Sequence, residues 1–179
     1  MSVATLEQNL NEESKEIRSV KEQYITFKVS EQEYGVSITS VREIKGWTHT
    51  TKLPNSPSYM RGVVNLRGTV VPILDLRSRF GMGITEVTPT HVVMIVALNN
   101  RMVGVLVDAV CDILSIEATD VRPVPNMNVE EDHKVVNGLV QKDERMVALL
   151  DLSKVFDASI FLEDHSAMLN TITQELESN

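Results

Sequence analysis

The chain has 179 residues, 42% of them hydrophobic and 23% charged, with a formal charge of −8. That length suits one ordinary domain or two very small ones, and the composition suffices for a packed core. The charge sits at the ends: residues 1–22 carry five acids and three bases, residues 163–179 four acids and no base, leaving 23–162 at net −2, a body without the basic excess that neutralises many phosphates, so no nucleic-acid partner is expected.

A single cysteine, Cys111, rules out an internal disulfide framework and fits a reducing compartment. No apolar run approaches bilayer length, and the N-terminus lacks a charged-then-apolar signal pattern. A cytoplasmic protein with no direct membrane insertion is expected.

In chain order, residues 1–22 are polar and are expected to form a flexible leader, with Leu6, Leu10, Ile17 and Val20 as a weak helical stripe. Tyr24–Val29 alternates and is rich in β-formers, and Glu33–Ile38 follows a short polar turn, so the two predict a hairpin. Gly62–Leu66 and Thr69–Leu74 predict a second hairpin around Arg67-Gly68, where Gly68 can take the positive φ of a tight turn. Pro72 lacks an N–H and is expected at an edge or bulge. His91–Leu98, Met102–Val107 and Arg145–Leu150 are further strands. Asp164–Leu176 has Ala167, Met168, Leu169, Ile172 and Leu176 at near-helical spacing, which predicts a C-terminal amphipathic helix.

The chain repeats itself. With Gly35 set over Gly104, Val36, Ile38, Val41 and Glu43-Ile44 fall on Val105, Val107, Val110 and Asp112-Ile113, and Pro54 falls on Pro123. After a seven-residue shift, Gly62-Val63-Val64 falls on Gly138-Leu139-Val140, and Val71, Ile73–Leu76 and Phe80 fall on Val147, Leu149–Leu152 and Phe156. Each β-rich copy is small for a core of its own, so the two are expected to pack together with a groove between them. The first copy spans about 23–86 and the second about 87–160, with exchange of strands between them left open. The copies differ at one hairpin turn: Leu66-Arg67-Gly68 in the first, Lys142-Asp143-Glu144 in the second, which suggests a surface task for one of them.

Enzyme chemistry is hard to find. There is no phosphate-cradling glycine loop and no nucleophile elbow. His49, His91, His133 and His165 are isolated, so no metal site is expected, and no cofactor. Asp75 and Asp151 each follow the last strand of a copy and are expected as helix N-caps rather than as a catalytic pair. Cys111 lies opposite Arg42 in the repeat and is expected near the surface. Met94, Met102 and Met146 lie within strands and are expected to fill core, whereas Trp47 suits a core anchor and a binding anchor equally.

Several stretches carry a resemblance: Glu33-Tyr34-Gly35-Val36, Val41-Arg42-Glu43-Ile44, Pro54-Asn55-Ser56-Pro57, Gly62–Gly68, Val71–Arg77, Val105–Val110 and Arg122–Val124-Pro125. In this order and spacing, from about Tyr24 to Phe156, the chain resembles the CheW family of bacterial chemotaxis coupling proteins. The resemblance implies an all-β fold of two packed SH3-like five-stranded barrels with short helices; the C-terminal helix or acidic tail at 161–179 is expected from its own spacing and lies outside the resemblance. It implies a non-enzymatic adaptor that links chemoreceptor cytoplasmic tips to the regulatory domain of the histidine kinase CheA, in receptor arrays at the membrane. Self-association in array rings, and service in a pathway other than motility, are left open. A small-ligand-binding barrel is the rival of a different class, and no convergent set of titratable residues supports it.

The family's receptor-facing positions fall on Val41, Glu43, Ile44, Gly62 and Arg67, with Val92 and Val110 added from the second copy. Val41 and Ile44 would supply apolar contact to a receptor helix, and Arg67 a fixed charge. A Glu43–Arg67 ion pair is expected to shape the rim of the groove.

Overall fold

The computed structural model describes residues 21–125 and 135–156. The leader up to residue 20, His133, His165 and the amphipathic segment at 161–179 lie outside the described residues. Among the described residues ten strands form: β1 (Glu22–Val29), β2 (Gln32–Ser37), β3 (Val41–Gly46), β4 (Met60–Leu66), β5 (Thr69–Asp75), β6 (Val92–Leu98), β7 (Arg101–Val107), β8 (Ala109–Ile116), β9 (Val136–Lys142) and β10 (Arg145–Leu150). Two one-turn helices, α1 (Leu76–Arg79) and α2 (Leu152–Val155), follow β5 and β10.

The strands make two five-stranded sheets, ordered β8-β1-β2-β10-β9 and β3-β6-β7-β5-β4. We call them sheets A and B. The first sequence copy supplies β1 to β5, the second β6 to β10, and each sheet draws on both. Sheet A takes β1 and β2 from the first copy, and sheet B takes β6 and β7 from the second. Replacing each strand by its repeat counterpart converts one sheet order into the other, so the duplication is an approximate two-fold exchange of strands. The exchange hinges on the two parallel ladders, β10 on β2 and β5 on β7. The boundary at 86/87 therefore divides the sequence repeat and not the sheets.

Period-two alternation explains how the sheets pack. In β6, Met94, Val96 and Leu98 enter a central cluster while Val93 and Ile95 enter a second one on the other face. A strand buried on both faces has no polar side to show, hence its continuous apolar run. Ile25, Phe27, Val29 and Val36 of sheet A join the same central cluster, which therefore lies between the sheets. Sheet A has its own cluster on its other face, built from Ile116, Val140, Val147 and Leu149.

Three expectations are corrected. First, the closed barrels are open sheets in their hydrogen bonding: β8 and β9 are the edges of sheet A, β3 and β4 those of sheet B. The connecting segments intervene at the seam, where Arg122 bridges Leu139 on β9 and Thr51 bridges Val63 on β4. Second, Met146 does not fill core: it is 42% exposed, whereas Met94 is fully buried and half-buried Met102 packs on the second cluster. Met146 alternates outward from Val147 on β10. Third, Pro72 lies on an interior strand and not at an edge: β5 runs between β7 and β4, and Pro72 pairs with Val63 one residue before the ladder to β7 begins at Ile73.

Candidate functional site

Five of the seven residues expected to face a receptor lie on β3 or meet it: Val41, Glu43 and Ile44 on the strand, Val92 paired with Gly46, and Arg67 bound to Glu43. Val41 pairs with Val96, but Glu43 pairs with Ile95, so a β-bulge at Arg42 inserts one residue. Without the bulge, Val41 and Glu43 would share a face. With it, Val41 packs on the central cluster, and Glu43 stands over Ile95 of the cluster inside sheet B. A bulge re-aims side chains in this way. Ile44 returns to the first face opposite Met94 and remains 44% exposed. Val92 pairs with Gly46 at the far end of β3 and also packs on the central cluster. Val110 lies on β8 of the other sheet, opposite Phe27, and packs there too. The valines therefore rim the seam between the sheets, while the charged residues occupy the other face of β3.

Glu43 meets Arg67 there. Arg67 Nη2 donates to both carboxylate oxygens at 3.3 Å, and Lys45 Nζ approaches Oε1 at 3.7 Å. Arg67 sits in the two-residue loop between Leu66 and Thr69, with φ +52°, followed by Gly68 at φ +86°. Paired positive φ values match the twist of a tight hairpin. The Arg67 side chain is 82% exposed, so this pair stabilises the fold by only ~0–1 kcal/mol.

Gly62 is placed differently from the other predicted contacts. It is buried, with φ +123°, at a register shift opposite Ile73. A Cβ there would lie 2.3 Å from the Thr51 carbonyl oxygen, where Thr51 exchanges both backbone hydrogen bonds with Val63. Its absent side chain admits the 50–51 segment to β4.

The two caps diverge. Asp75 is fully buried and caps α1 by accepting from Ser78 N–H at 3.2 Å, but it also accepts two hydrogen bonds from Thr85 and approaches Arg61 at 3.2 Å. Asp151 caps α2 by accepting from Ser153 N–H at 3.0 Å and is partly exposed. Arg61 ties the first network together: it donates to the Thr85 carbonyl at 2.7 Å and stacks over Trp47, 5.6 Å from its ring centre. Trp47 itself packs half-buried on the cluster inside sheet B, which makes it an anchor of that cluster.

Three further features carry little sequence signal. Lys142 Nζ lies 2.9 Å from Asp112 across the open edge of sheet A. Asp112 is the repeat counterpart of Glu43, so both open edges are spanned by an acid–base pair; the repeat frame held that clue. Asp108 joins the sheets, accepting from Ser30 N–H at 2.6 Å and Arg77 at 2.7 Å, with His91 Nε2 at 3.4 Å from its other oxygen. Glu33 is buried inside sheet A with Arg145 Nη1 3.0 Å away. That approach lacks hydrogen-bond alignment, and neither Glu33 oxygen receives a donor among the described residues.

Cys111 is the bulge residue of β8, as Arg42 is of β3, and is exposed. Burial of part of the thiol, with Glu33 nearby, pushes its pKa up, so it is not primed as a nucleophile. Among the described residues no group of three or more His, Cys, Asp or Glu side chains is placed to hold a metal, and no helix is long and apolar enough to cross a membrane.

Two interleaved five-stranded sheets, with a valine-rimmed seam and matched ion pairs at their open edges, define a mostly β module with its distinctive chemistry on strand edges and turns. The comparisons agree. The CheW-like domain family matches residues 23–159. A probable chemotaxis protein CheW of Rhizobium etli is 42% identical over 132 residues, 74% of this chain and 85% of its own length. The chemotaxis protein CheW of Klebsiella aerogenes is 36% identical over 140 residues, covering 78% and 84%. The crystal structure of the scaffolding protein TtCheW from Thermoanaerobacter tengcongensis is similar with a TM-score of 0.69 at 28% identity, covering 78% of this chain and 90% of that one. The chain belongs to the CheW-like domain family.

Proposed function

We propose that this chain is a non-enzymatic coupling protein of bacterial chemotaxis. It joins the cytoplasmic tips of methyl-accepting chemoreceptors to the regulatory domain of the histidine kinase CheA. It works in the cytoplasm and is recruited to membrane-anchored receptor arrays, where it helps assemble receptor with kinase. Each curled sheet serves as one SH3-like half of the adaptor.

One observation carries the reading in this chain: the bulge at Arg42 divides β3 into an apolar face and a charged face. A receptor tip is a helical hairpin, and an amphipathic helix offers the matching pair of surfaces. Val41, Ile44, Val92 and Val110 take its apolar stripe at the seam. Arg67 takes a carboxylate on its flank, since a guanidinium fits that group with two parallel hydrogen bonds. Gly62 contributes by holding β4 against Thr51.

The test is a pull-down of the full chain with two baits, a soluble chemoreceptor tip and the CheA regulatory domain, with wild type and Arg67→Ala side by side. Capture by both baits, with the variant impaired on the receptor tip, is expected. A folded wild type captured by neither bait would remove the coupling role.

A further inference from the structure

The contact assigned to Arg67 depends on an unusual backbone. Arg67 and Gly68 form the whole loop between β4 and β5, both at positive φ. The first loop position favours Asn, Asp or Gly; an arginine there is uncommon. The second copy has a hairpin of the same length with Asp143 at φ +52°, a residue that suits the conformation. There the cation that meets the acid is Lys142, in the strand.

Something must hold Arg67 where Asp143 needs no help. Asn65 Oδ1 accepts a hydrogen bond from Gly68 N–H at 2.8 Å, closing the turn from inside the strand. The side chain is exposed and serves no core, since Asn65 stands opposite Val70 on the outward face. Its repeat counterpart, Gln141, uses its amide differently: Nε2 donates to the Asp143 carbonyl at 2.7 Å. The acceptor on a short side chain is thus found in the copy that carries an arginine at the tip.

We infer that Asn65 is a positioning residue for partner recognition: its side-chain carbonyl locks the left-handed turn that aims Arg67 at a carboxylate on the partner. A residue held in a sparsely populated conformation persists when its surroundings over-determine it. Here the over-determination has two parts, Asn65 on the backbone and Glu43 on the guanidinium. Without Asn65 the loop samples other turns, and the guanidinium spreads over a wider volume before each encounter. The inference rests on the reading of Arg67 as a receptor contact.

The experiment titrates the full chain with a soluble chemoreceptor-tip fragment, uses the CheA regulatory domain as a control partner, and records a thermal melt of each variant. Asn65→Ala is expected to weaken tip binding about fivefold to tenfold, the scale of one lost hydrogen bond. Kinase-domain binding stays at the wild-type value, and the melting temperature falls by no more than the few degrees that one lost hydrogen bond costs. Asn65→Asp, which keeps the acceptor, restores tip binding. The double variant Asn65→Ala with Arg67→Ala binds no worse than Arg67→Ala alone, because both act through one contact. Should Asn65→Ala fail to fold, Asn65→Gln, which copies Gln141, carries the same comparison. Wild-type tip affinity in Asn65→Ala beside a weakened Arg67→Ala overturns the positioning role, as does an additive double variant. Wild-type affinity in Arg67→Ala overturns instead the reading of Arg67 as a contact.

Discussion

Arg67 and Glu43 face each other across the open edge of sheet B, both carboxylate oxygens 3.3 Å from Arg67 Nη2, and the other sheet repeats the arrangement with Lys142 and Asp112 at 2.9 Å. The pairs are related by the internal duplication, but the cations are not: one comes from a loop tip, the other from a strand end. What is kept is an acid on the edge strand beyond the bulge and a base reaching it from the facing hairpin. What differs is how far the base stands out: Arg67 is 82% exposed and Lys142 19%. The first pair is open to exchange with a partner's carboxylate, while the second is built into its edge.

Arg67→Asn separates folding from binding at this point. Asn tolerates left-handed backbone better than Arg, and the ion pair lost is worth ~0–1 kcal/mol. Stability is expected to stay within about 1 kcal/mol of wild type, whereas receptor-tip binding weakens by about 2 kcal/mol or more, as for a binding hot spot. Parallel denaturation and calorimetric titration check this. A variant that melts early and binds normally would assign Arg67 to the fold.

Gly62→Ala is expected to destabilise by roughly 1–3 kcal/mol through a clash in a packed site. The added carbon meets the Thr51 carbonyl oxygen at 2.3 Å, and the φ of +123° disfavours any side chain. Chemical denaturation measures the loss. Full stability with selective loss of receptor binding would instead place Gly62 at the contact surface.

Glu33 and Arg145 make the third prediction. The Glu33 side chain is 4% exposed and Arg145 55%. Arg145→Ala leaves a buried charge without its counter-ion and should cost roughly 2–3 kcal/mol, below the full range for a buried pair because Arg145 is itself half in water. The repeat supplies a natural replacement: Met102 and Thr69 occupy the corresponding positions of the other copy. The double variant Glu33→Met with Arg145→Thr should recover wild-type stability or exceed it, since apolar substitutes for buried ion pairs often do. Urea melts of the single and double variants decide the matter; a double variant as unstable as Arg145→Ala would refute it.

Asp112 supplies a signed pH effect. A hydrogen bond from Lys142, and a second from Ile113 N–H, hold its carboxyl below the ordinary 3.8. A carboxyl whose pKa is lower folded than unfolded supports the fold above its unfolded value, and that support is lost as pH falls through the folded value. NMR titration of the Asp112 carboxyl should give a midpoint below 3.8 in wild type, rising in Lys142→Gln. Equal midpoints would mean that the edge pair does not form in solution.

The sequence by itself determined the strands with strong alternation, the duplication, the tight turn at Gly68 and the capping roles of Asp75 and Asp151. These depend on near neighbours: period two, backbone freedom and a short side chain before a helix turn. It also paired Glu43 with Arg67, through likeness to a family. The tertiary structure decided what depends on register and partner choice. The bulge at Arg42 left no local mark, yet it turned Val41 and Glu43 to opposite faces. Gly62 read as a surface position until Thr51, in the connection leading into β4, closed over it. Whether the copies exchange strands stayed open in the sequence for the same reason. Alternation fixes which face of a strand is apolar, but which strand lies beside it is set by burying the central cluster between two sheets at once.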